Sequence, residues 1–345
     1  MPKRKIGIIG ATGFTGSELV RLLTHHPETE IAVITSESRA GEKFSAVHPF
    51  FEGIAEQTLD SVENIDQYEP DLLFLALPHG VSMDYVKRLE GKPYKIIDLS
   101  GDFRLDSPAT YEEWYNKAHT YPEGFGRAAY GIPELFAADI QKADLVANPG
   151  CYPTSAILGL APLVSEKLIE PGMVIVDAKS GVTGAGIKAK PVNHFSQVND
   201  NFKAYGIKTH RHAIEIQGTL SGLGGADLAV QFTPHLLPVD RGILSTMYVR
   251  PKGSTSAQQV QELYRSFYAD KPFVRFRESA PAIKDVRGTN YCDIWSTYDE
   301  RTGNIMIVSV IDNLMKGAAG QAVQNMNLMY GWDEMSGLRQ IPMHP

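Results

Sequence analysis

Cysteine is scarce in this chain, and several other shortages also exclude classes of protein. Cys151 and Cys292 are the two cysteines in 345 residues, so no disulfide framework of the secreted kind is expected. Lys and Arg (33) are outnumbered by Asp and Glu (40), which leaves a net charge of −7 and argues against a nucleic-acid or membrane-surface binder. The longest purely apolar runs, such as Leu72 to Leu77, fall far short of the ~20 residues that span a bilayer.

The amino-terminal stretch does not have the pattern of a signal peptide. Its basic tip and short apolar run are interrupted by Gly7, Gly10, Gly13 and Gly16, and Glu18 follows. We therefore expect a cytoplasmic protein. At about 150 residues per domain, its length predicts two domains.

The two halves of the chain differ in their hydrophobic patterning. The first half alternates short apolar runs with helix-like segments, which predicts a parallel α/β sheet covered on both faces. The second half predicts a larger, mixed or antiparallel sheet, and the boundary is placed at the turn Asn148-Pro149-Gly150. The predicted strands are Lys5–Ile9, Ile31–Thr35, Leu72–Leu77, Ile96–Leu99, Leu145–Ala147, Met173–Ala178, Leu228–Phe232, Ile243–Val249, Tyr291–Thr297 and Asn304–Val310; the predicted helices are Gly16–Thr24, Ser256–Tyr268 and Gly317–Tyr330.

A glycine-rich turn follows the first predicted strand and opens the first predicted helix. Its G-x-x-G-x-x-G spacing in this context predicts dinucleotide binding, because small residues admit the pyrophosphate and a helix N-terminus attracts it. A turn that only allows tight packing is the alternative. The predicted cofactor contacts here are Gly10, Thr12, Gly13, Phe14, Thr15 and Gly16.

The end of the second predicted strand bears on the choice of cofactor. Ser36, Ser38 and Arg39 offer two hydroxyls and a guanidinium, which suit the 2′-phosphate of NADP. Glu37 would favour NAD if it pointed inward, and a solvated loop charge is the alternative for Arg39. We expect NADP.

Cys151 lies in the segment NPGCYPTSA, residues 148–156. Pro153 suits the first turn of a helix, so Cys151 is predicted at or just before a helix N-terminus. That position lowers the pKa of a thiol from ~8.5 and favours a nucleophilic thiolate. The alternative is a buried, inert cysteine, which fits Cys292 in its predicted strand.

The segment THRHAIEI, residues 209–216, offers a proton partner for that thiolate. If a helix begins here, His212 and Glu215 share a face, and Glu215 could orient the imidazole. Arg211 would project differently and could hold an anion. Histidines that only cap or pack are one alternative. A metal bound by His210 and His212 is another, although no further ligands support it.

Two further loops offer ligand contacts. Ser180 and Gly181 lie in KSGVTGAG, residues 179–186, which is suited to phosphate or carboxylate contact. Arg104 follows a predicted strand end, where ligands bind in open α/β sheets, and is a candidate carboxylate clamp. Ordinary turn chemistry is the alternative for both loops.

Taken together, these motifs resemble those of the N-acetyl-γ-glutamyl-phosphate reductase family, whose wider relatives are the semialdehyde and glyceraldehyde-phosphate dehydrogenases. The resemblance runs from residue 7 to about residue 330. The matching segments are GATGFTGSELVRLL, LALPHG, DLSGDFRL, NPGCYPT, KSGVTGAG, HRHAIEI, FTPHLLPVDRGI and DNLMKGAAGQAVQNMN.

The resemblance implies a fold and a set of roles. It implies a Rossmann-type NADP-binding domain (1–150 and 315–345) and an α+β catalytic and oligomerisation domain of glyceraldehyde-phosphate dehydrogenase type (151–314). It implies that Cys151 is the nucleophile, that His212 is the acid/base, and that Asn313 lies near the nicotinamide. The implied reaction is the NADPH-dependent reduction of an anionic acyl phosphate to a semialdehyde, through a thioester, by a homodimer or homotetramer.

Substrate contacts and alternative activities complete the expectations. Arg104, Lys188, Lys208 and Arg211 are candidates for positive potential around the substrate. The alternatives are an aminoadipyl-phosphate reductase, an aspartate-semialdehyde dehydrogenase, a cysteine hydrolase and an NADP-binding redox sensor. A hydrolase has no use for the glycine turn, and a sensor has none for an acid/base beside the thiol. The predicted substrate-binding residues are Arg104, Asn148, His210 and Arg211.

Overall fold

The computed structural model of the chain describes residues 2–170 and 172–343, with the backbone alone at Met173. These residues form two compact units. The first comprises the described residues up to Pro149 together with Ala318–Arg339, and the second comprises those of Gly150–Gly317 and those from Gln340 onward. None of the helices in these stretches combines the length and apolarity that crossing a bilayer requires.

The first unit is built on a parallel sheet, which confirms the prediction for the first half of the chain. Its strands are β1 (Arg4–Ile9), β2 (Thr29–Thr35), β3 (Leu72–Leu75), β4 (Lys95–Asp98), β5 (Ala129–Tyr130) and β6 (Leu145–Ala147). They lie in the order β2-β1-β3-β4-β6-β5, all parallel. The strand order reverses between β1 and β3, and ligands of open α/β sheets bind beyond the carboxyl ends at that point.

The second unit is built on a mixed sheet, as predicted. Its strands are β7 (Met173–Ser180), β8 (Lys203–Ala204), β9 (Ala229–Leu236), β10 (Ile243–Val249), β11 (Val274–Phe276), β12 (Cys292–Asp299) and β13 (Asn304–Ile311). Their order is β11-β12-β13-β10-β7-β9-β8. The short strands β8 and β11 have no counterpart among the predicted strands.

The helices cover these sheets. They are α1 (Phe14–Leu23), α2 (Phe44–Val47), α3 (Ser82–Arg88), α4 (Pro108–Tyr115), α5 (Pro133–Lys142), α6 (Cys151–Ser165), α7 (Phe195–Val198), α8 (His212–Gly224), α9 (Ala257–Phe267) and α10 (Gly320–Met329). Helix α6 packs against β10, β13 and α8, which explains why residues 152–164 are buried all round the helix.

Two predicted helix starts are wrong. The first helix begins at Phe14 rather than Gly16, because Gly13 takes the N-cap position with extended backbone. The last helix was predicted to start at Gly317. A π-helical turn over Met315–Ala319 occupies that position, and the regular α-helix starts at Gly320.

Candidate active site and cofactor site

The three glycines of the turn after β1 meet different steric demands. Gly10 has a φ of +87°, and a Cβ there would lie 2.5 Å from the carbonyl oxygen of Ala76. A Cβ on Gly16 would collide with the carbonyl oxygen of Gly10, whereas one on Gly13 would meet only that same oxygen, at 3.8 Å. In dinucleotide-binding turns the first glycine allows the tight turn, the second lets the backbone approach the pyrophosphate, and the third lets the helix pack closely against the strand. The turn therefore fits a pyrophosphate at Gly13.

Side chains around the turn support the same use. The Thr12 and Ser36 hydroxyls are within hydrogen-bond distance, 3.3 Å apart, and the first turn of α1 contains no acidic residue. His48, which sequence reasoning missed, is buried against the ring of Phe44. Burial lowers the pKa of His48, and the nearby Thr12 backbone acts in the opposite direction. The turn is thus braced from the segment that follows β2.

The residues after β2 present donors at the surface. Ser36 is buried, while Ser38 and Arg39 are exposed. Arg39 forms a 3.1 Å ion pair with Glu42. The carboxylate of Glu37 accepts a hydrogen bond from the Tyr85 hydroxyl at 3.0 Å. Residues 36–39 could therefore hold a 2′-phosphate, with Glu37 engaged by a tyrosine.

Two predicted substrate contacts of the first unit have internal partners. The Arg104 guanidinium donates to the carbonyl of Leu99 at 2.7 Å. The fully buried Asn148 donates to the carbonyl of Ala318 and accepts from the Asn325 amide at 3.0 Å. Asn148 therefore ties the end of β6 to the segment around α10.

Cys151 is the first residue of α6, which confirms the predicted helix start. Gly150 is the N-cap, and Pro153 lies in the first turn. Cys151 is partly exposed and Cys292 is fully buried, and neither forms a disulfide. The Cys292 sulfur lies 3.4 Å from the Ser309 hydroxyl. The two cysteines thus occupy the environments expected of a reactive and an inert thiol.

Helix α8 brings His212 and Glu215 to the residue that precedes Cys151. His212 is the first residue of α8, so the predicted helix start here is also confirmed. A carboxylate oxygen of Glu215 accepts a hydrogen bond from the Gly150 N–H at 2.9 Å. A Cβ on Gly150 would lie 2.5 Å from Nε2 of His212. Only glycine leaves room for the imidazole at this place.

His210 lies in an aromatic cluster beside His212. Its ring centroid is 4.8 Å from that of His212, 5.4 Å from Phe232 and 5.6 Å from Tyr152. Its Nδ1 accepts a hydrogen bond from the backbone N–H of His212. Burial, together with the charge of Arg211, lowers the pKa of His210 to about 4. His210 is therefore neutral near pH 7.

Gly317, which sequence reasoning missed, lies directly against Cys151. A Cβ on Gly317 would be 2.8 Å from Cβ of Cys151. The Gly317 N–H donates to the carbonyl of Asp312, in the register of a π-turn. The buried Asp312 carboxylate accepts from three backbone N–H groups and pairs with Arg241 at 3.3 Å. A π-turn of this kind is frequent at functional sites.

The other cofactor contacts predicted for the second unit lie together at one end of its sheet. Ser180 ends β7, and the Gly181 N–H donates to the carbonyl of Gly242. The Asn313 side chain accepts from the Gly242 N–H at 2.8 Å and donates to the Thr183 hydroxyl at 2.9 Å. Asn313 therefore connects the loop after β7 with the loop before β10.

Metal ligation has no structural support in the part of the chain that is described. No cluster of three or more His, Cys, Asp or Glu side chains in it is arranged to hold a metal ion. The chemistry that the second unit offers is that of a thiol at a helix N-terminus, an imidazole and a buried carboxylate.

Two family profiles match the chain. The profile of the semialdehyde dehydrogenase NAD binding domain matches residues 5–143, and that of the semialdehyde dehydrogenase dimerisation domain matches residues 151–313. Relatives named N-acetyl-gamma-glutamyl-phosphate reductase are similar along the whole length. Those of Desulforudis audaxviator and Desulfotalea psychrophila are 49% and 50% identical over 99% of both chains. That of Bacillus subtilis is 48% identical over 99% of this chain and 100% of its own.

Aspartate semialdehyde dehydrogenases are among the solved structures with the same fold. Enzyme II of Vibrio cholerae, complexed with ASA, has a TM-score of 0.73 at 16% identity, covering 96% of this chain and 99% of its own. The Candida albicans enzyme with NADP has a TM-score of 0.73 at 17% identity, covering 95% and 98%. At such identities the likeness is one of fold alone.

Proposed function

The chain belongs to the N-acetyl-gamma-glutamyl-phosphate reductase family, and we propose that it performs the reaction in that name. The reaction reduces N-acetyl-γ-glutamyl phosphate with NADPH to the semialdehyde and releases phosphate, a step of arginine biosynthesis. The observation that carries the proposal is the identity of 48–50% over 99% of the chain. The thiol, imidazole and carboxylate around Gly150 agree with it.

Cys151 is the proposed nucleophile. The N-terminus of α6 favours the thiolate over the thiol, because free N–H dipoles there stabilise negative charge. The thiolate attacks the acyl carbon; a C–S bond forms, the bond from the acyl carbon to the phosphate oxygen breaks, and phosphate departs. First-turn N–H groups of α6 have no acceptor within the helix and can stabilise the oxyanion of this step.

His212 is the proposed acid/base. Bound NADPH would supply the hydride that converts the thioester to an aldehyde. Once the acyl carbon has been reduced, the C–S bond breaks and His212 donates a proton to the departing sulfur or the oxyanion. Glu215 accepts a hydrogen bond from the backbone N–H of Gly150, directly before Cys151. As the predicted orienting residue for His212, it would hold the imidazole in position relative to the thiol.

NADP is the proposed cofactor, bound at the glycine turn of residues 10–16. The open position at Gly13 supports a pyrophosphate there. The exposed donors of Ser38 and Arg39 after β2 support a 2′-phosphate. Glu37, the residue that would favour NAD, accepts a hydrogen bond from Tyr85. Ser180, Gly181 and Asn313 are the proposed contacts to the nicotinamide end.

The assembly and the compartment belong to the same proposal. The match of residues 151–313 to a dimerisation domain supports a homodimer or homotetramer. Two cysteines outside any disulfide support the cytoplasm, where thiols stay reduced. The proposed substrate contacts are Arg104, Asn148, His210 and Arg211.

A reverse-direction assay tests the function. Purified protein is mixed with N-acetylglutamate semialdehyde, inorganic phosphate and NADP, and formation of NADPH is followed by absorbance. We expect phosphate-dependent turnover, with aspartate semialdehyde and aminoadipate semialdehyde used far more slowly. Turnover with either of those in preference, or none with all three, would refute the proposal.

A further inference from the structure

The connection between β7 and α8 contains a run of cations that we call the basic segment, residues 186–208. It contains Lys188, Lys190, Lys203 and Lys208, with Asp200 as its one acidic residue. Among the described residues, none of these four lysines forms an ion pair with a carboxylate, although many lysines and arginines elsewhere do. In a chain of net charge −7, four such cations within one connection form a local excess of positive charge, which attracts anions.

A cavity of about 650 Å³ opens within the basic segment. Lys190, His194 and Lys203 line it together with the polar residues Ser196 and Gln197. No carboxylate belongs to the described residues that line it. Its volume lies in the range of small-ligand sites, about 300–1,000 Å³, and its donors suit phosphate and carboxylate oxygens.

The basic segment ends beside the reactive thiol. Strand β8 places Lys203 opposite Leu236, at the sheet end where β7 also ends. Two residues later, the hydroxyl of Tyr205 lies 3.1 Å from that of Tyr152, the residue after Cys151. The cavity and the thiol are therefore connected through one short strand and a pair of tyrosines.

We propose that this cavity is a docking subsite for the anionic groups of the acyl-phosphate substrate, which it attracts and holds on the way to Cys151. The inference rests on the proposed function for the identity of that substrate. Its physical basis is the local field: a concentration of one sign of charge raises the arrival rate of an oppositely charged ligand by about 10- to 1,000-fold. The subsite would also explain how a chain whose net charge is negative can attract an anionic substrate.

A pair of charge reversals tests the subsite. Lys190→Glu with Lys203→Glu alters two lining residues. Lys167→Glu with Lys252→Glu is the matched control: it produces the same change in net charge on exposed lysines. The control lysines lie at the opposite end of the sheet, since Lys252 follows β10 at its far end and its N–H bonds to Leu168.

The first readout needs no substrate. Iodoacetate and iodoacetamide alkylate the same thiol but differ in charge, and the ratio of their rates at Cys151 reports the local potential. We expect the ratio to fall about tenfold in the cavity variant at low ionic strength, to stay close to wild type in the control, and to converge at high ionic strength. An equal fall in both variants, an unchanged ratio, or a fall that salt does not remove would overturn the subsite.

The second readout is the reverse reaction. In the cavity variant we expect the KM for inorganic phosphate to rise about tenfold at low ionic strength, with the loss on kcat/KM rather than on kcat. A loss confined to kcat would overturn the subsite. If the wild-type protein fails to turn over N-acetylglutamate semialdehyde, the proposed function fails, and the alkylation ratio still decides for or against anion attraction.

Discussion

Glu215 accepts a hydrogen bond from the backbone N–H of Gly150 at 2.9 Å, so a carboxylate on α8 holds the residue directly before Cys151. Glu215 is only 2% exposed, and a buried carboxylate is costly unless it is hydrogen-bonded or paired. His212 occupies the space that a side chain on Gly150 would need. The start of α8 and the start of α6 are thus fixed to each other next to Cys151.

Glu215→Gln keeps the shape and one acceptor oxygen but removes the charge. Because a hydrogen bond to a charged group contributes about 1.5–3 kcal/mol, we expect kcat to fall by roughly tenfold, with a smaller loss of thermal stability. Glu215→Ala, which leaves the Gly150 N–H without its acceptor, should lose more of both. Steady-state kinetics and thermal unfolding measure the two effects. An unchanged kcat in Glu215→Gln would show that the charge has no part in the reaction.

The two histidines of the motif should separate kinetically. A general acid/base contributes about 10²- to 10⁴-fold, so His212→Ala should lower kcat by about that factor and leave NADP affinity nearly unchanged. His210, whose pKa is lowered to about 4, is neutral at working pH, and His210→Ala should act mainly on the KM of the substrate. Kinetics at several substrate concentrations distinguish the two. A larger loss of kcat in His210→Ala would transfer the acid/base role to His210.

Gly317→Ala tests how closely the π-turn must approach the thiol. The new Cβ would lie 2.8 Å from Cβ of Cys151, well inside the about 3.5–4.0 Å at which carbon atoms pack. A displacement of about 1 Å at the reacting group can cost about 10²-fold, so we expect a loss of that order in kcat. Gly222→Ala in α8 is the control, because nothing lies within 4 Å of a Cβ there. It should retain activity and gain about 0.5–1 kcal/mol of stability.

Arg39→Ala tests the choice of cofactor. Loss of a charge-assisted contact to the 2′-phosphate should cost about 1.5–3 kcal/mol, or roughly ten- to a hundredfold in NADP affinity. NAD affinity should stay nearly constant, since NAD has an uncharged 2′-hydroxyl in place of the phosphate. Fluorescence titration with both cofactors measures this. Equal losses for NADP and NAD would mean that Arg39, paired with Glu42, only shapes the loop.

The lowered pKa of His210 predicts that stability falls with falling pH. The unfolded chain protonates this histidine near pH 6.5, whereas the folded chain does so at about 4. Between these values the unfolded state binds more protons, so His210 alone should cost up to about 2 kcal/mol of stability on going from about pH 7 to pH 5. Urea unfolding should show a weaker pH dependence in His210→Gln than in wild type. His25→Gln, at an exposed histidine, is the control. The same dependence of unfolding free energy on pH in wild type, His210→Gln and His25→Gln would contradict the prediction.

Local signals in the sequence predicted the parts of the site that depend on local structure. Pro153, two residues after the thiol, indicated the helix start at Cys151, and the spacing of His212 and Glu215 indicated a shared helix face. Alternating apolar residues gave the bounds of Ile243–Val249 as the structure has them. Each of these depends on a few neighbouring residues, whose steric and hydrogen-bonding preferences can be read directly.

Contacts between distant segments could not be read in this way. Gly317 approaches Cys151 because a π-turn, held by the buried Asp312, shifts the chain there; the sequence pattern predicted an ordinary helix. The spacing that puts Glu215 beside His212 does not reveal that its carboxylate bonds to Gly150. Strand β8 consists of only two residues, which is too short to show a pattern of alternating polar and apolar residues. The sequence therefore did not predict this strand or the basic cavity beside it.

The central claim, that Cys151 forms the thioester, is tested most directly by trapping it. The protein is mixed with N-acetyl-γ-glutamyl phosphate without NADPH, quenched in acid within a turnover time, digested and examined by mass spectrometry. We predict an N-acetylglutamyl adduct on the Cys151 peptide, which is absent when NADPH is added before the quench and absent in Cys151→Ser. An adduct on Cys292, or phosphate release without any adduct on Cys151, would contradict the account.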